Sequence, residues 1–324
     1  MIVRWGLEEL PALLNEAGIE QPLLVTSTRW RELDLPVAER FSGVRPHSPL
    51  ETVAAARAAA TGVDGLLALG GGSAIDTAKA VSAETALPVV SIPTTYSGAE
   101  WTPFFGVRDE EHGVKGGGAG ARPVGIVYEP ELTLDLPQGE TGGTALNALA
   151  HSAEALYVKG KNPDADREAL EGARLISEWL PLVLADGRYE EGRHRLLEGA
   201  MHAGAALAGA GLGLGHAMAQ ALGGRYGLPH GALNAICLPP ALRFNSTIAA
   251  DELGRLGEAM RSDDPADRAQ ELARQAGFTL LRHLNVPREE LGEVAEAAAQ
   301  RGGARANPRL ASPEDIRELY ESVW

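Results

Sequence analysis

The 324-residue sequence lacks features that would place it in several common protein classes. Its only cysteine, Cys237, excludes an internal disulfide framework and suits a reducing compartment. No apolar run reaches the roughly 18 residues that a membrane span requires. The first residues, MIVRWGLEEL, lack the basic start and apolar stretch of a signal peptide, so we expect a cytoplasmic protein.

Positive charge is also scarce. The net charge is −15, and lysine and arginine form no cluster, so we expect neither a nucleic-acid partner nor a membrane partner. An acidic surface aids solubility and says little about small ligands, because an anionic substrate needs only a local positive pocket. Hydrophobic residues make up 44% of the chain, and this length suits about two globular domains.

The first part of the chain alternates short apolar runs with helical patterns. This alternation predicts a parallel sheet covered on both faces, and 113–123 is a glycine-rich loop or hairpin. The predicted strands are 22–27, 65–70, 87–93 and 123–130, and the predicted helices are 50–62 and 73–85.

Helical periodicity dominates after about residue 137. It covers 141–158, 166–186, 192–211 and most of 250–324, where Ser312 and Asp315 have the spacing of a capping box. The one exception is a short predicted strand, AICLP, at 235–239. The chain is therefore predicted to form an α/β N-terminal domain, 1–136, and an all-α C-terminal domain, 137–324.

Two loops follow neighbouring predicted strands. In LALGGGSAIDTAKA, Gly70, Gly71 and Gly72 permit close backbone approach, Ser73 is placed to cap the next helix, and the helix N-terminus favours an anion. Such a turn can also be purely structural. In SIPTTYSGAEWTP, hydroxyl groups follow the next strand, and two such loops at one sheet edge favour a nucleotide site.

Asn147 and His151 lie four residues apart in a helical run and therefore share one helix face. This spacing suits two metal ligands, except that an amide is a poor ligand where a carboxylate would be a good one. His216 and His230 flank ALGGRYGLP, whose glycines predict a loop into a cleft. His194 and His202 carry no such context.

These segments together resemble the iron-containing alcohol dehydrogenase superfamily over nearly the whole chain. GGGS followed by Asp76 and Lys79 is similar to its GGGSxxDxxK motif, and PTTYSGAEWTP and GHAMAQALGGRYGLPHGALNAICLP are similar to its second cofactor loop and histidine-rich segment. GVRPHSP, YEPELTLDLP and ALNALAHSAEALY resemble the maleylacetate reductase branch. The resemblance implies a dehydroquinate synthase-like fold, with a dinucleotide-binding domain, a helical catalytic domain, an active site in the cleft between them, and a homodimer.

The resemblance also implies NADH or NADPH as cofactor. Asp76 would orient the glycine loop, and Ser27 replaces an Asp that in many members binds the ribose 2′-hydroxyl, so that with Thr28 and Arg29 NADPH is tolerated as well. The other implied cofactor contacts are Gly71, Gly72 and Ser73 at the pyrophosphate, Thr94, Thr95 and Ser97 along the nucleotide, and Lys115 and Leu134 near the ribose and nicotinamide.

Four positions match the family's metal cage of one Asp and three His, namely Asn147, His151, His216 and His230. Because the carboxylate is replaced by an amide, we predict a site without metal, although three neutral histidines could still hold zinc. Gln220 stands where both branches more often have His, and HAMAQ looks more like the alcohol dehydrogenases.

The predicted reaction reduces maleylacetate, a small dianionic dicarboxylate, to 3-oxoadipate. His151, His216 and His230 would form a cationic pocket, one of them would supply the proton, and Asn147 would donate a hydrogen bond. Arg225 is either a carboxylate clamp or a surface arginine. The alternatives are a metal-dependent alcohol or aldehyde dehydrogenase of the same superfamily and a nucleotide-binding relative without redox activity.

Overall fold

A computed structural model describes residues 1–109, 111 and 114–324, and of Val114 and Lys115 it describes the backbone alone. The chain divides into two compact units. The first consists of 1–95 and 99–133, and the second of 96–98 and 134–324. The short segment Tyr96–Gly98 is therefore part of the second unit, although it lies between two stretches of the first.

The first unit is built on a six-stranded parallel sheet with a separate antiparallel hairpin. The sheet order is β1-β8-β5-β4-β2-β3, and the hairpin joins β6 to β7. The strands are β1 (Ile2–Trp5), β2 (Pro22–Thr26), β3 (Glu39–Phe41), β4 (Gly65–Gly70), β5 (Pro88–Pro93), β6 (Phe105–Asp109), β7 (Val114–Gly118) and β8 (Arg122–Tyr128). The helices of this unit are α1 (Leu10–Glu16), α2 (Leu50–Ala59) and α3 (Gly72–Thr85).

Both faces of the sheet are buried, which explains the continuous apolar runs of its inner strands. Along β4, Leu66 and Ala68 pack with α2 and α3, whereas Leu67 and Leu69 pack with α1 on the opposite face. This alternation follows from the two-residue period of a strand. The strand β4 lies between β2 and β5, all parallel, so the carboxyl ends of the three strands meet at one sheet edge.

The second unit is helical throughout its described elements. They are α4 (Gln138–Ala155), α5 (Pro163–Ala185), α6 (Glu190–Ala210), α7 (Leu214–Tyr226), α8 (His230–Asn245), α9 (Ala250–Met260), α10 (Pro265–Gln275), α11 (Leu291–Ala299), α12 (Gly302–Ala306) and α13 (Pro313–Glu321), with short 3-10 turns between some of them. One core packs α7 and α8 against α11 and α13. No helix among the described residues is both long and apolar enough to cross a bilayer.

The predicted fold class, an α/β unit followed by an all-α unit, is confirmed. The predicted strands and helices of the first unit are all present. Of the glycine-rich stretch, Val114–Gly118 forms β7, the second strand of a hairpin with β6, and Gly113 lies outside the described residues. The capping box of Ser312 and Asp315 is confirmed. The predicted strand at 235–239 is wrong, because this apolar run is an interior, buried part of α8.

Candidate active site and cofactor loops

The glycine loop follows β4 and leads directly into α3. Gly70 has a φ of +146°, a conformation that suits glycine, and a Cβ on Gly71 would lie only 2.9 Å from Cγ2 of Thr95. The backbone N–H of Thr94 donates to the carbonyl of Gly70 over 3.0 Å. The loops after β4 and β5 therefore touch, and glycine is what permits this approach.

These loops leave polar groups available for a phosphate. The helix α3 begins at Gly72 without a side-chain cap, so its first N–H groups point outward, and Oγ1 of Thr95 is buried without a hydrogen-bond partner. Such groups fit the pyrophosphate of a nicotinamide dinucleotide. The expectation that Ser73 caps α3 is wrong, since the cap position is Gly71 and the Ser73 hydroxyl accepts from the N–H of His47 over 3.0 Å.

Asp76 and Lys79 connect α3 to the segments that follow β5. Oδ2 of Asp76 accepts from the N–H of Gly106 over 3.1 Å, and Oδ1 pairs with Nζ of Lys79 over 3.2 Å. The buried Lys79 donates to the carbonyls of Ala99 and Phe104. Asp76 therefore fixes the start of the β6–β7 hairpin, and its hydrogen bonds do not go to the glycine loop that the resemblance assigned to it.

The remaining predicted cofactor residues are more dispersed. Ser27 follows β2 at the same sheet edge as the two loops, and the guanidinium of Arg29 lies 4.7 Å from the centre of the Trp30 ring. Ser97 and Leu134 belong to the second unit. The side chain of Lys115 lies outside the described residues.

A buried carboxyl group follows the second loop. Glu100 accepts from the Tyr128 hydroxyl over 2.9 Å, that hydroxyl accepts from Nε1 of Trp101 over 2.8 Å, and Oε2 of Glu100 is buried without a partner. Desolvation by burial raises the pKa of Glu100 from 4.5 to about 7, against the lowering effects of its hydrogen bonds and of Lys79.

In the second unit, Asn147 and His151 share one face of α4, as their spacing predicts. Nδ2 of Asn147 donates to the carbonyl of Ser97 over 3.1 Å and lies 3.5 Å from Nε2 of His151. Oδ1 of Asn147 accepts from Nδ2 of Asn234 over 2.7 Å. Both atoms of the buried amide are therefore engaged by other groups of the protein.

The structure brings the three histidines together. His151 and His216 stack with ring centroids 4.7 Å apart and planes 14° apart, and His216 and His230 are 5.7 Å apart. His230 is the first residue of α8, and close contact between Gly231 and Gly143 places this helix end on α4. The predicted loop between His216 and His230 is largely wrong, because α7 continues to Tyr226.

The surroundings of His151 affect its pKa. Burial, followed by the nearby His216 and His230, holds the pKa of His151 well below its ordinary value. Burial therefore disfavours the charged form of His151, which the predicted cationic pocket would require.

His216 has a buried carboxylate partner that the sequence reasoning missed. Its Nδ1–H donates to Oε2 of Glu154 over 2.7 Å, while the N–H groups of Gly213 and His216 donate to the same carboxylate over 2.6 and 3.1 Å. Both side chains are almost fully buried. Glu154 thus fixes the ring of His216 and directs its buried, unpartnered Nε2 away from the carboxylate.

The family implies a metal, and the residues present do not form a cage for one. An ion must lie in the plane of each imidazole that binds it, at about 2.1 Å from the nitrogen, and the nearly parallel rings of His151 and His216 do not share such a point. Asn147 uses both amide atoms elsewhere. Among the described residues, no group of three or more His, Cys, Asp or Glu side chains is arranged to hold a metal ion.

Two arginines differ in their surroundings, and only Arg225 was considered from the sequence. Arg225 is exposed and pairs with Glu290 over 2.6 Å and Glu293 over 2.8 Å, so it is a surface arginine and not a substrate clamp. Arg193 is 1% exposed, and its hydrogen-bond acceptors among the described residues are neutral oxygens. Its acceptors are the carbonyls of Gly187 and Leu136 and the hydroxyls of Tyr96 and Thr141.

The missed residues carry helical signals. Glu154 lies three residues after His151, and Asn234 lies four residues after His230, so each shares a helix face with one of the predicted histidines. Arg193 has no comparable signal, because its contacts come from distant parts of the chain.

The chain matches the iron-containing alcohol dehydrogenase family over residues 3–127 and the family's C-terminal part, described as Fe-containing alcohol dehydrogenase family, C-terminal, over residues 141–324. It is 38% identical over 297 residues to a maleylacetate reductase of Burkholderia cepacia, covering 89% of this chain and 83% of the relative. It is 35% identical over 332 residues to the maleylacetate reductase of Pseudomonas knackmussii, covering 98% and 93%.

Solved structures agree with this assignment. A maleylacetate reductase from Rhizobium sp. strain MTP-10005 matches with a TM-score of 0.92 at 31% identity, covering 100% of this chain and 95% of that one. An iron-containing alcohol dehydrogenase from Corynebacterium glutamicum matches with a TM-score of 0.92 at 30% identity, covering 100% and 94%. The chain belongs to the iron-containing alcohol dehydrogenase family, in its maleylacetate reductase branch, and is an NAD(P)H-dependent oxidoreductase.

Proposed function

We propose that this chain reduces the carbon–carbon double bond of maleylacetate to give 3-oxoadipate, and that it does so without a catalytic metal. The observation that carries the metal-free part is the amide at Asn147, whose two polar atoms are both committed to other groups of the protein. The relatives named maleylacetate reductase support the choice of substrate.

The overall chemistry is a conjugate reduction. The two loops of the first unit would hold the nicotinamide, which would provide a hydride for the alkene carbon farther from the ketone. Electron density then moves onto the ketone oxygen to form an enolate, and a proton must reach the alkene carbon beside the ketone. The protein's task is to stabilise that oxygen, deliver the proton and hold two carboxylates.

The cluster in the second unit can perform the proton step. His216 is held at Nδ1 by Glu154, so Nε2 is the atom from which a proton passes to the substrate carbon. The adjacent carboxylate stabilises the charged ring, as a buried acid does for a catalytic imidazole. His151 is neutral and contributes a hydrogen bond, not a charge.

The proposed substrate is a dianion, and Arg193 supplies positive charge for it. Because neutral oxygens hold the guanidinium, its charge is not cancelled by a contacting carboxylate. Arg193 donates to the hydroxyl of Tyr96, whose neighbour Ser97 accepts from Asn147. In a water-poor interior such a charge raises the local potential for anions.

The test is NADH and NADPH oxidation with maleylacetate before and after exhaustive chelation, with a simple aldehyde as the alternative substrate. We expect undiminished activity with maleylacetate in the presence of chelator. His216→Gln is expected to lower kcat by about 10². His202→Gln is the matched control, because His202 pairs with Glu168 outside the cluster, and it should leave kcat unchanged.

Two results would redirect the proposal. Activity that disappears on chelation and returns with Zn(II) or Fe(II), especially toward the aldehyde, would identify a metal-dependent alcohol or aldehyde dehydrogenase. Cofactor that binds and is not oxidised by either substrate would identify a nucleotide-binding relative without redox activity.

A further inference from the structure

A chain of hydrogen bonds connects a peptide carbonyl to one of the site histidines through two buried amides. Nδ2 of Asn147 donates to the carbonyl of Ser97, and Oδ1 of Asn147 accepts from Nδ2 of Asn234 over 2.7 Å. The same Nδ2 of Asn234 lies 3.0 Å from Nε2 of His230. Asn147 is 5% exposed and Asn234 is fully buried, so both are shielded from water.

The donor and acceptor in each bond are determined from one end. A peptide carbonyl can only accept, so the atom of Asn147 facing Ser97 must be its NH2 group, and the other atom must be the oxygen. That oxygen requires a donor, so Asn234 presents its NH2 group. An amide NH2 has two hydrogens, and the second faces Nε2 of His230.

We propose that Asn234 is a positioning residue that holds His230 as the neutral tautomer with its proton on Nδ1. Because Nε2 faces an N–H donor, it must accept with its lone pair, and the remaining ring proton then lies on Nδ1. His230 is half-buried, whereas His151 and His216 are buried. Nδ1 of His230 is itself buried, so a ligand oxygen must enter the cluster to reach it.

This assignment gives His230 a specific task, and that part rests on the proposed function. A neutral imidazole that offers Nδ1–H is a hydrogen-bond donor to an oxygen on which charge develops, here the ketone oxygen of maleylacetate. The two histidines then have different roles in the reaction. His216 transfers the proton to carbon, and His230 stabilises the enolate oxygen without transferring a proton.

The first test needs neither substrate nor cofactor. In the intact chain labelled with 15N at histidine, the imidazole nitrogens are observed by long-range 1H–15N NMR at slightly alkaline pH, and His230→Gln identifies the His230 signals. We expect Nε2 to show the shift of an unprotonated nitrogen and Nδ1 that of a protonated one. The reverse pattern in the wild-type chain would overturn the proposal, whatever the variants do.

Variants test the role of Asn234 itself. Asn234→Ala and Asn234→Asp should move the proton of His230 toward Nε2, and the carboxylate should do so most completely because it accepts where the amide donates. Asn245→Ala is the matched control, since Asn245 is a fully buried asparagine of the same helix that pairs with Asn307. It should leave the His230 tautomer unchanged, and an unchanged tautomer in both Asn234 variants would overturn the proposal.

Kinetics then separate the tautomer from the function. In Asn234→Ala we expect kcat for maleylacetate to fall by about 10², as for loss of one oxyanion donor, with little change in the KM for NADH. A displaced proton with unchanged kcat would overturn the catalytic role of His230. A wild-type chain with the expected tautomer and no activity on maleylacetate would overturn the proposed function and leave the hydrogen-bond assignment supported.

Discussion

Restoring the family's carboxylate by Asn147→Asp tests the metal-free interpretation most directly. At pH 8 the new carboxylate would place an anionic oxygen against the carbonyl of Ser97, where an N–H now donates over 3.1 Å. The variant loses one buried hydrogen bond, at about 1–3 kcal/mol, and gains a buried charge that lies beside the Asn234 donor and Nε2 of His151. We expect the free energy of unfolding to fall by about 3–5 kcal/mol.

Two conditions should reverse this loss. A protonated Asp has the shape of Asn and an O–H that can donate to Ser97, so folding raises the pKa of the new carboxyl. Its stability is present at low pH and is lost as pH rises, and the variant should approach the wild type near pH 4. Zn(II) should also stabilise the variant at pH 8, by about 2.7 kcal/mol at 100 times its Kd, once the rings of His151 and His216 turn out of their parallel stack to face one ion, and should leave the wild type unchanged.

The measurement is urea unfolding at both pH values, with chelator or with Zn(II). Asn245→Asp is the control, because it also converts a buried, paired amide to an acid, at a position with no histidine contact. It should be destabilised at pH 8 and should not respond to zinc. If Asn147→Asp were as stable as the wild type at pH 8 in chelator, the amide would not be required there and our reasoning about the site would be refuted.

Three further predictions follow from the rest of the structure. Burial raises the pKa of Glu100 from 4.5 to about 7, so the contribution of the protonated carboxyl to stability is complete below pH 4.5 and is lost as pH rises to 7. Over that range the unfolding free energy of the wild type should fall by about 3 kcal/mol more than that of Glu100→Gln. Gly70→Ala places a Cβ at φ +146°, only 2.9 Å from the Cβ of Ala74, and should weaken NADH binding by about tenfold or more in a fluorescence titration. Arg225→Ala removes only exposed ion pairs and should change kcat/KM for maleylacetate by less than about twofold, while a large loss would return Arg225 to the site.

Much of the fold could be predicted because the inner strands of a doubly covered parallel sheet are apolar along their whole length. The two strands of the six-stranded sheet that the patterns missed, β1 and β3, are its edges and are partly exposed, so they carry no long apolar run. The error at 235–239 has the opposite cause. A five-residue apolar run fits a buried helix as well as a strand, and burial of Leu238 and its neighbours in α8 outweighs the cost of Pro239.

The candidate site could be predicted only where its members lie on one helix. The i, i+4 rule brought Asn147 to His151 and applies equally to His230 and Asn234, whereas Glu154 follows His151 at i+3 on the same helix face. It does not show that the carbonyl of Ser97 meets Asn147, because that contact spans 50 residues and depends on the tertiary fold. The donor and acceptor of every hydrogen bond in the network are set by that carbonyl, so the tautomer of His230 could not be inferred from the sequence.

An amide and a carboxylate at position 147 support different kinds of chemistry because they differ in the hydrogen bonds they can donate and accept. A carboxylate only accepts, and it would compete with Ser97 for the same donors unless a cation lay beside it. An amide accepts at one atom and donates at the other. The carbonyl of Ser97 therefore determines how Asn147 is oriented, Asn147 determines how Asn234 is oriented, and Asn234 presents a donor to His230. Replacing one oxygen by nitrogen thus changes this position from a place for a metal ligand to a determinant of where a proton lies on a neighbouring ring. The contact of His216 with Glu154 is separate from this chain of hydrogen bonds, because Glu154 meets Nδ1 of His216 and the amides lead to His230.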